Sequence, residues 1–229
     1  MRINQFISEA RSCSRRETDR LIKAGRVSIN GEVCTHGDIV AHGDIVRIDG
    51  NVVERITKEK IYIAFHKPVG ITCTAAEHIE ENIIDYINYP ERIFPVGRLD
   101  KASEGLILLT NDGAIANQIL HGDHEHEKEY IVTVDRPFTD WFIEGMSQGV
   151  KIRDGMTKPC KVTRVDGSTF RIVLTQGMNR QIRRMSRAFE YTVTRLKRVR
   201  IMNIKLDGLE AGKWQNVTDQ ELQELVQQL

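Results

Sequence analysis

Residues 95–113, PVGRLDKASEGLILLTNDG, set one acid between two bases and then run directly into an unbroken apolar segment. The acid is Asp100, with Arg98 and Lys101 beside it, and nearby positive charge favours an ionised carboxylate that can act as a nucleophile at neutral pH. Leu106 to Leu109 are short enough to form a strand covered on both faces, and Asn111-Asp112-Gly113 closes that strand as a turn. The stretch therefore predicts a carboxylate held at the edge of a rigid sheet. An Arg-Leu-Asp triplet by itself is also the ordinary pattern of a surface ion pair, so its surroundings have to decide.

A chain of 229 residues with 40% hydrophobic content can form one sizeable core plus a small second module. The formal net charge is only +1, but it is unevenly spread. Residues 176–205 carry nine Lys or Arg against the single acid Glu190, whereas residues 75–130 carry twelve acids against four bases. Such separation points to a localised basic surface and a polyanionic partner. Cys13, Cys34, Cys73 and Cys160 are far apart, so neither a zinc site nor a disulfide framework is signalled and a reducing compartment fits. The N-terminal residues MRINQFISEARS lack the apolar core of a signal peptide, and no stretch reaches the length of a membrane span. The expectation is a cytoplasmic protein without a membrane partner. No coiled-coil pattern or long apolar edge demands more than a monomer.

Residues 1–50 read as a separate small module. Ile3, Phe6, Ile7 and Ala10 recur at helical spacing, and Ser14 with Glu17 forms a capping box that opens a second helix carrying Leu21 and Ile22 inward. Gly25 ends that helix, and Asn30-Gly31 signals a hairpin after Val27 and Ile29. Arg16, Arg20 and Lys23 share one face of the second helix, with Arg15 at its start and Arg11 and Arg26 close by. Charge spacing leaves two readings open here, a solvated face or one that grips phosphates. Residues 51–60 are polar and without period, which predicts a linker.

Residues 61–229 form the second module. Ile61 to Phe65 reads as a strand and Lys67-Pro68-Val69-Gly70 as the turn leaving it. Ala114 to Leu120 reads as a short helix. The loop histidines His121, His124 and His126 lack the fixed carboxylate-bearing frame of a catalytic metal site, so no metal is expected. Tyr130 opens an alternating strand and, from its residues alone, could be an ordinary half-buried strand tyrosine. Thr139 caps a helix that Gly149 ends, and residues 161–165 and 169–175 read as antiparallel strands. In QGMNRQIRRMSRAF, Asn179 can cap a helix that brings Arg180, Arg183, Arg184 and Arg187 along one side. Four like charges repel, so a carboxylate and phosphates are expected to share them. Thr192 to Leu206 continues as strand with Arg195, Lys197, Arg198 and Arg200, and a last helix follows Thr218.

Taken together, GRLDKASEGLILLTNDG resembles the catalytic motif of pseudouridine synthases, with Ser103 where the usual form has Thr. KPVG, KEY (128–130) and NRQIRRM (179–185) resemble further motifs of that family in its order, and SRRETDRLIKAGRVSINGEV resembles the S4 RNA-binding module. The resemblance covers nearly the whole chain and is nearest to the small-subunit type with an S4 module, within it the large-subunit ribosomal RNA synthase F branch. It implies an α+β fold, a small S4 domain followed by a catalytic domain with a mixed, mainly antiparallel sheet flanked by helices. It implies isomerisation of uridine to pseudouridine in RNA without a cofactor. By the same resemblance Asp100, Tyr130 and Arg183 are catalytic: the acid as nucleophile or base, the tyrosine stacked on the base, the arginine paired with Asp100. Arg98, Lys128, Ile182 and Lys67 contact the substrate. Arg11, Arg15, Arg16, Arg20, Lys23, Arg26, Arg180, Arg184 and Arg187 meet RNA. Ribosomal RNA is the expected partner, with transfer RNA as the alternative. Two other classes compete: a non-catalytic RNA-binding or ribosome-assembly protein, and a hydrolase pairing Asp100 with Glu104, a residue that looks solvated.

Overall fold

The computed structural model describes residues 1–11, 13–54, 59–76, 78–120 and 125–229. The chain divides into two compact units, Met1–Glu59 and Lys60–Leu229.

In the first unit, α1 (Ile3–Arg11) and α2 (Arg15–Lys23) pack on a small antiparallel sheet of β1 (Val27–Ile29), β2 (Glu32–Val33), β3 (Val46–Ile48) and β4 (Asn51–Val52), in the order β2-β1-β3-β4. Ile3, Ile7, Ile22, Val27, Val40, Val46 and Ile48 close its core. The Ser14 hydroxyl accepts the Glu17 backbone N–H, satisfying one of the free donors at the start of α2. Asn30 and Gly31 both take positive φ, the backbone that a two-residue hairpin turn requires. Asn51 and Val52, expected in the linker, instead pair with β3. Asp49-Gly50 makes the turn between them, and the hairpin's polarity reflects an exposed edge strand.

The second unit contains β5 (Tyr62–Lys67), α3 (Ile83–Ile87), β6 (Phe94–Val96), β7 (Glu104–Thr110), α4 (Gly113–Leu120), β8 (Lys128–Val134), α5 (Asp140–Ser147), β9 (Lys151–Ile152), β10 (Gly155–Met156), β11 (Lys161–Arg164), β12 (Thr169–Leu174), α6 (Gln181–Ala188), β13 (Val193–Ile201), β14 (Ile204–Lys205), β15 (Trp214–Asn216) and α7 (Asp219–Gln227). Its main sheet runs β11-β12-β8-β13-β7-β5-β15, with β14 on β13 and β6 on β7. Every pairing is antiparallel except β13 with β7.

The alternation of β7 explains why its apolar run is unbroken. Leu106 and Leu108 face the helices α4 and α7, while Ile107 and Leu109 pack toward α3. A third cluster joins β8 and β12 to Phe142 and Met146 of α5 and Met185 of α6. The expected strand from Thr192 to Leu206 is broken by Met202, whose positive φ turns the chain into the β13–β14 hairpin. At Gly105 a side chain is excluded, since an added Cβ would lie 2.2 Å from the Arg198 carbonyl oxygen. β7 and β13 therefore approach closely at the parallel pairing, beside the loop that carries Asp100. Among the described residues no helix is long and apolar enough to cross a membrane.

Candidate active site

Asp100 lies in the loop between β6 and β7, and that loop is fastened from several sides. The buried Leu99 donates its N–H to Cys73 Sγ at 3.4 Å, Gly70 N–H donates to the Lys101 carbonyl at 2.8 Å, and Ser103 N–H donates to the Asp100 carbonyl at 2.9 Å. The Asp100 side chain remains 36% exposed. It opens into a cleft of about 900 Å³ that is also lined by Arg98, Lys128, Tyr130, Arg180, Ile182, Arg183 and Arg198. That volume lies within the range of roughly 300–1,000 Å³ usual for ligand pockets.

Arg183 connects α6 to this loop. Its Nη1 donates to the Val193 carbonyl at 3.0 Å, and its Nη2 donates to the Ala102 carbonyl at 2.9 Å and to Ser103 Oγ at 3.1 Å. The remaining nitrogen, Nε, stands 3.9 Å from Asp100 Oδ2 and has no hydrogen-bond partner among the described residues. Burial lowers the guanidinium's pKa, the Asp100 charge works against that, and Arg180 adds to the lowering. The hydroxyl that Ser103 shares with threonine is thus used in holding Arg183.

Several expectations change. Lys101 does not serve Asp100, because its ammonium pairs with Glu81 at 2.8 Å in solvent. Lys67 does not present its charge to a phosphate: it is fully buried, and Nζ donates to the Pro68 and Ile71 carbonyls at 2.8 Å each. Burial lowers its pKa, while Cys73 and then Asp100 raise it. Asn179 does not cap α6. Its Oδ1 accepts from Arg184 Nη2 at 2.8 Å, and Arg180 holds the cap position with a left-handed backbone. Arg184 is further paired with Asp154, so it is committed within the protein. Glu104 is not solvated: its carboxylate is 14% exposed and accepts from Arg195 Nε at 2.5 Å. Arg200 pairs with Glu127 and Glu129, so together with Arg184 and Arg195 part of the basic run 176–205 is neutralised within the protein. Lys67, Arg184 and Arg187 do not line the cleft. His121 and His124 lie outside the described residues.

In the first unit Arg11, Arg15, Arg16, Arg20 and Lys23 are all exposed. Arg26 is exposed as well but holds Asp49 through two bonds, from Nε at 2.8 Å and Nη2 at 2.5 Å, which removes it from the free cations of that face.

Arg198 is the cleft residue that the sequence reading passed over. It is 3% exposed, and its Nε donates to the Leu106 carbonyl at 2.7 Å. A β-bulge lies between Arg198 and Arg200, pairing Arg198 with Tyr130 and Arg200 with Glu129. Bulges turn neighbouring side chains to different faces. Regular alternation would have placed both arginines on one face, and nothing local in VTRLKRVRI marks the irregularity.

A family model described as RNA pseudouridylate synthase matches residues 61–188, and one for the S4 domain matches residues 1–46. The chain is 51% identical to Dual-specificity RNA pseudouridine synthase RluF of Salmonella typhi, across 98% of this chain and 78% of that protein. It is 33% identical to Ribosomal large subunit pseudouridine synthase B of Bacillus subtilis, across 98% and 95% of the two. A solved crystal structure of pseudouridylate synthase superposes with a TM-score of 0.72 at 28% identity, covering 98% of this chain and 99% of the other. With residues 61–188 matched by the family model and a relative 51% identical across 98% of the chain, the chain belongs to the RNA pseudouridylate synthase family and is an RNA pseudouridine synthase with an N-terminal S4 domain.

Proposed function

We propose that the protein isomerises a specific uridine of large-subunit ribosomal RNA, with Asp100 as the catalytic carboxylate. The observation that carries this reading is the pairing of a half-exposed acid in a large cleft with an arginine whose other nitrogens are already occupied. The remaining nitrogen, Arg183 Nε, lies 3.9 Å from Asp100 Oδ2, so a held positive charge faces the carboxylate across the cleft. The target atoms of a stacked nucleotide are out of reach, so the uridine enters flipped out, most cheaply from a loop or bulge. Tyr130 offers a ring for the base and Ile182 an apolar wall. Asp100 then either attacks C1′ or removes a proton from the sugar, the C1′–N1 bond breaks, the base turns, and C5 rejoins C1′.

The competing readings lose support on particular residues. A hydrolase would need a neutral second acid, whereas Glu104 is held in an ion pair by Arg195. A purely binding role gives no reason for Asp100, Tyr130 and Arg183 to converge on one cleft. The identity of about half to proteins named dual-specificity supports a second substrate class, with transfer RNA as the candidate.

The test is pseudouridine mapping, by carbodiimide labelling and reverse-transcription stops, on ribosomal and transfer RNA from cells with and without the gene. Loss of one large-subunit site is expected, and loss restricted to a transfer RNA would move the substrate. Asp100→Asn is expected to lower single-turnover pseudouridine formation by about 10⁴-fold or more. A fully active variant would refute the role given to Asp100.

A further inference from the structure

Arg198 is a buried cation whose Nη2 has no hydrogen-bond partner among the described residues, in a residue that lines the Asp100 cleft. Leaving such a donor unsatisfied in a protein interior is costly. The surroundings make its position deliberate. Gly105 lets β7 come against the Arg198 backbone, Leu106 fixes Nε, and the bulge sets the side chain across from Tyr130. Lys128, two residues before Tyr130 on β8, also lines the cleft and donates to the His126 carbonyl at 3.0 Å. Its pKa is lowered first by burial and second by the charge of Arg198, so the two cations sense each other inside one site.

We propose that Arg198, with Lys128, binds the uracil ring of the flipped uridine and stabilises the negative charge that ring acquires when the glycosidic bond breaks. This rests on the reading of Asp100 given above. In that step the C1′–N1 electron pair leaves with N1, and the detached ring spreads the charge over N1, O2 and O4. Asp100 meanwhile bonds to C1′ or takes the sugar proton. After rotation the ring's electron density at C5 forms the new C5–C1′ bond as the Asp100–C1′ bond breaks or as Asp100 returns its proton to the sugar, the C5 proton leaves to a base, and N1 regains a proton, so the product is an isomer. A donor fixed in a dry pocket toward developing charge is a strong contributor to catalysis. A planar ring suits the place because Leu196 and Ile182 line the same cleft beside Tyr130 and give its apolar faces a surface to pack on.

The experiment compares wild type, Arg198→Met and Arg198→Lys on a transcript carrying the mapped uridine, reading single-turnover rate, RNA affinity and thermal midpoint. Arg198→Met is expected to slow isomerisation about 100-fold, with RNA affinity within about threefold of wild type, and lysine is expected to restore about tenfold. A methionine variant at the wild-type rate overturns the proposal, as does a rate loss matched by an equal loss of affinity, or one that lysine does not relieve. If Arg198→Met does not fold, Lys128→Met supplies the same test, with about a tenfold loss of rate expected and an unchanged rate overturning the proposal. A wild-type protein that turns over no RNA would instead remove the reading of Asp100 on which this one stands.

Discussion

Two helices of this protein carry arginines at similar spacing and put them to different use. In α2, RRETDRLIK, the residues Arg15, Arg16, Arg20 and Lys23 all face solvent, because only Thr18 and Ile22 are buried under a small core. In α6, QIRRMSRA, four residues are buried and the helix packs against β9 and β13. There Arg183 is 13% exposed and bonded to the Asp100 loop, Arg184 is paired with Asp154, and Arg187 alone remains fully at the surface. Helical spacing sets the phase of a charge, but what surrounds the helix decides whether that charge meets solvent, an acid or the Asp100 loop. A long-range electrostatic surface suits the first helix, and a rigid local geometry suits the second.

The comparison breaks most decisively at Arg183. Replacing it with Met leaves the Val193 and Ala102 carbonyls without their donor, with an expected cost on the order of 3 kcal/mol in chemical denaturation. Turnover is expected to fall roughly 100-fold or more, since the same change frees Asp100. A variant with wild-type stability would mean that α6 is not braced through this residue.

A double change on the other helix, Arg16→Ala with Arg20→Ala, should act on binding. RNA affinity is expected to drop, and the slope of its logarithm against the logarithm of salt should flatten by roughly 0.7–0.9 per lost phosphate contact. An unchanged slope would return that face to solvent and erase the contrast between the helices.

The smallest effect is expected at Arg184. Its pair with Asp154 is partly exposed, so Arg184→Ala should cost only about 0.5–1 kcal/mol and change the salt slope less than the α2 variant does. Asp154→Asn sharpens the point, because it releases Arg184 and should raise RNA affinity if the site lies near the bound strand. A large loss of affinity in Arg184→Ala would place α6 with α2 after all.

Legibility followed distance along the chain. The Asp100 loop, the two-faced strand after it, the Asn30-Gly31 hairpin and the Thr218 cap each depend on a few neighbouring residues, and each could be read from them. The partners of charged groups could not. Lys101 meets Glu81 across 20 residues, Arg184 meets Asp154 across 30, and Arg195 meets Glu104 across 91. The polar hairpin strand Asn51–Val52 looked like linker because an edge strand exposed on both sides carries no alternation.

What the sequence by itself determined is the order of modules and the presence of a carboxylate at the edge of a buried strand, with an arginine-rich helix downstream. These follow from periodicity and turn chemistry, which act over a few residues. Only the tertiary structure decided which cations serve the acid. Lys67 went beneath the site, Lys101 went to solvent, Arg183 turned toward Asp100, and the bulge in β13 brought Arg198 into the cleft. Burial and pairing depend on segments far apart in the chain meeting in one place, and no local pattern records that meeting.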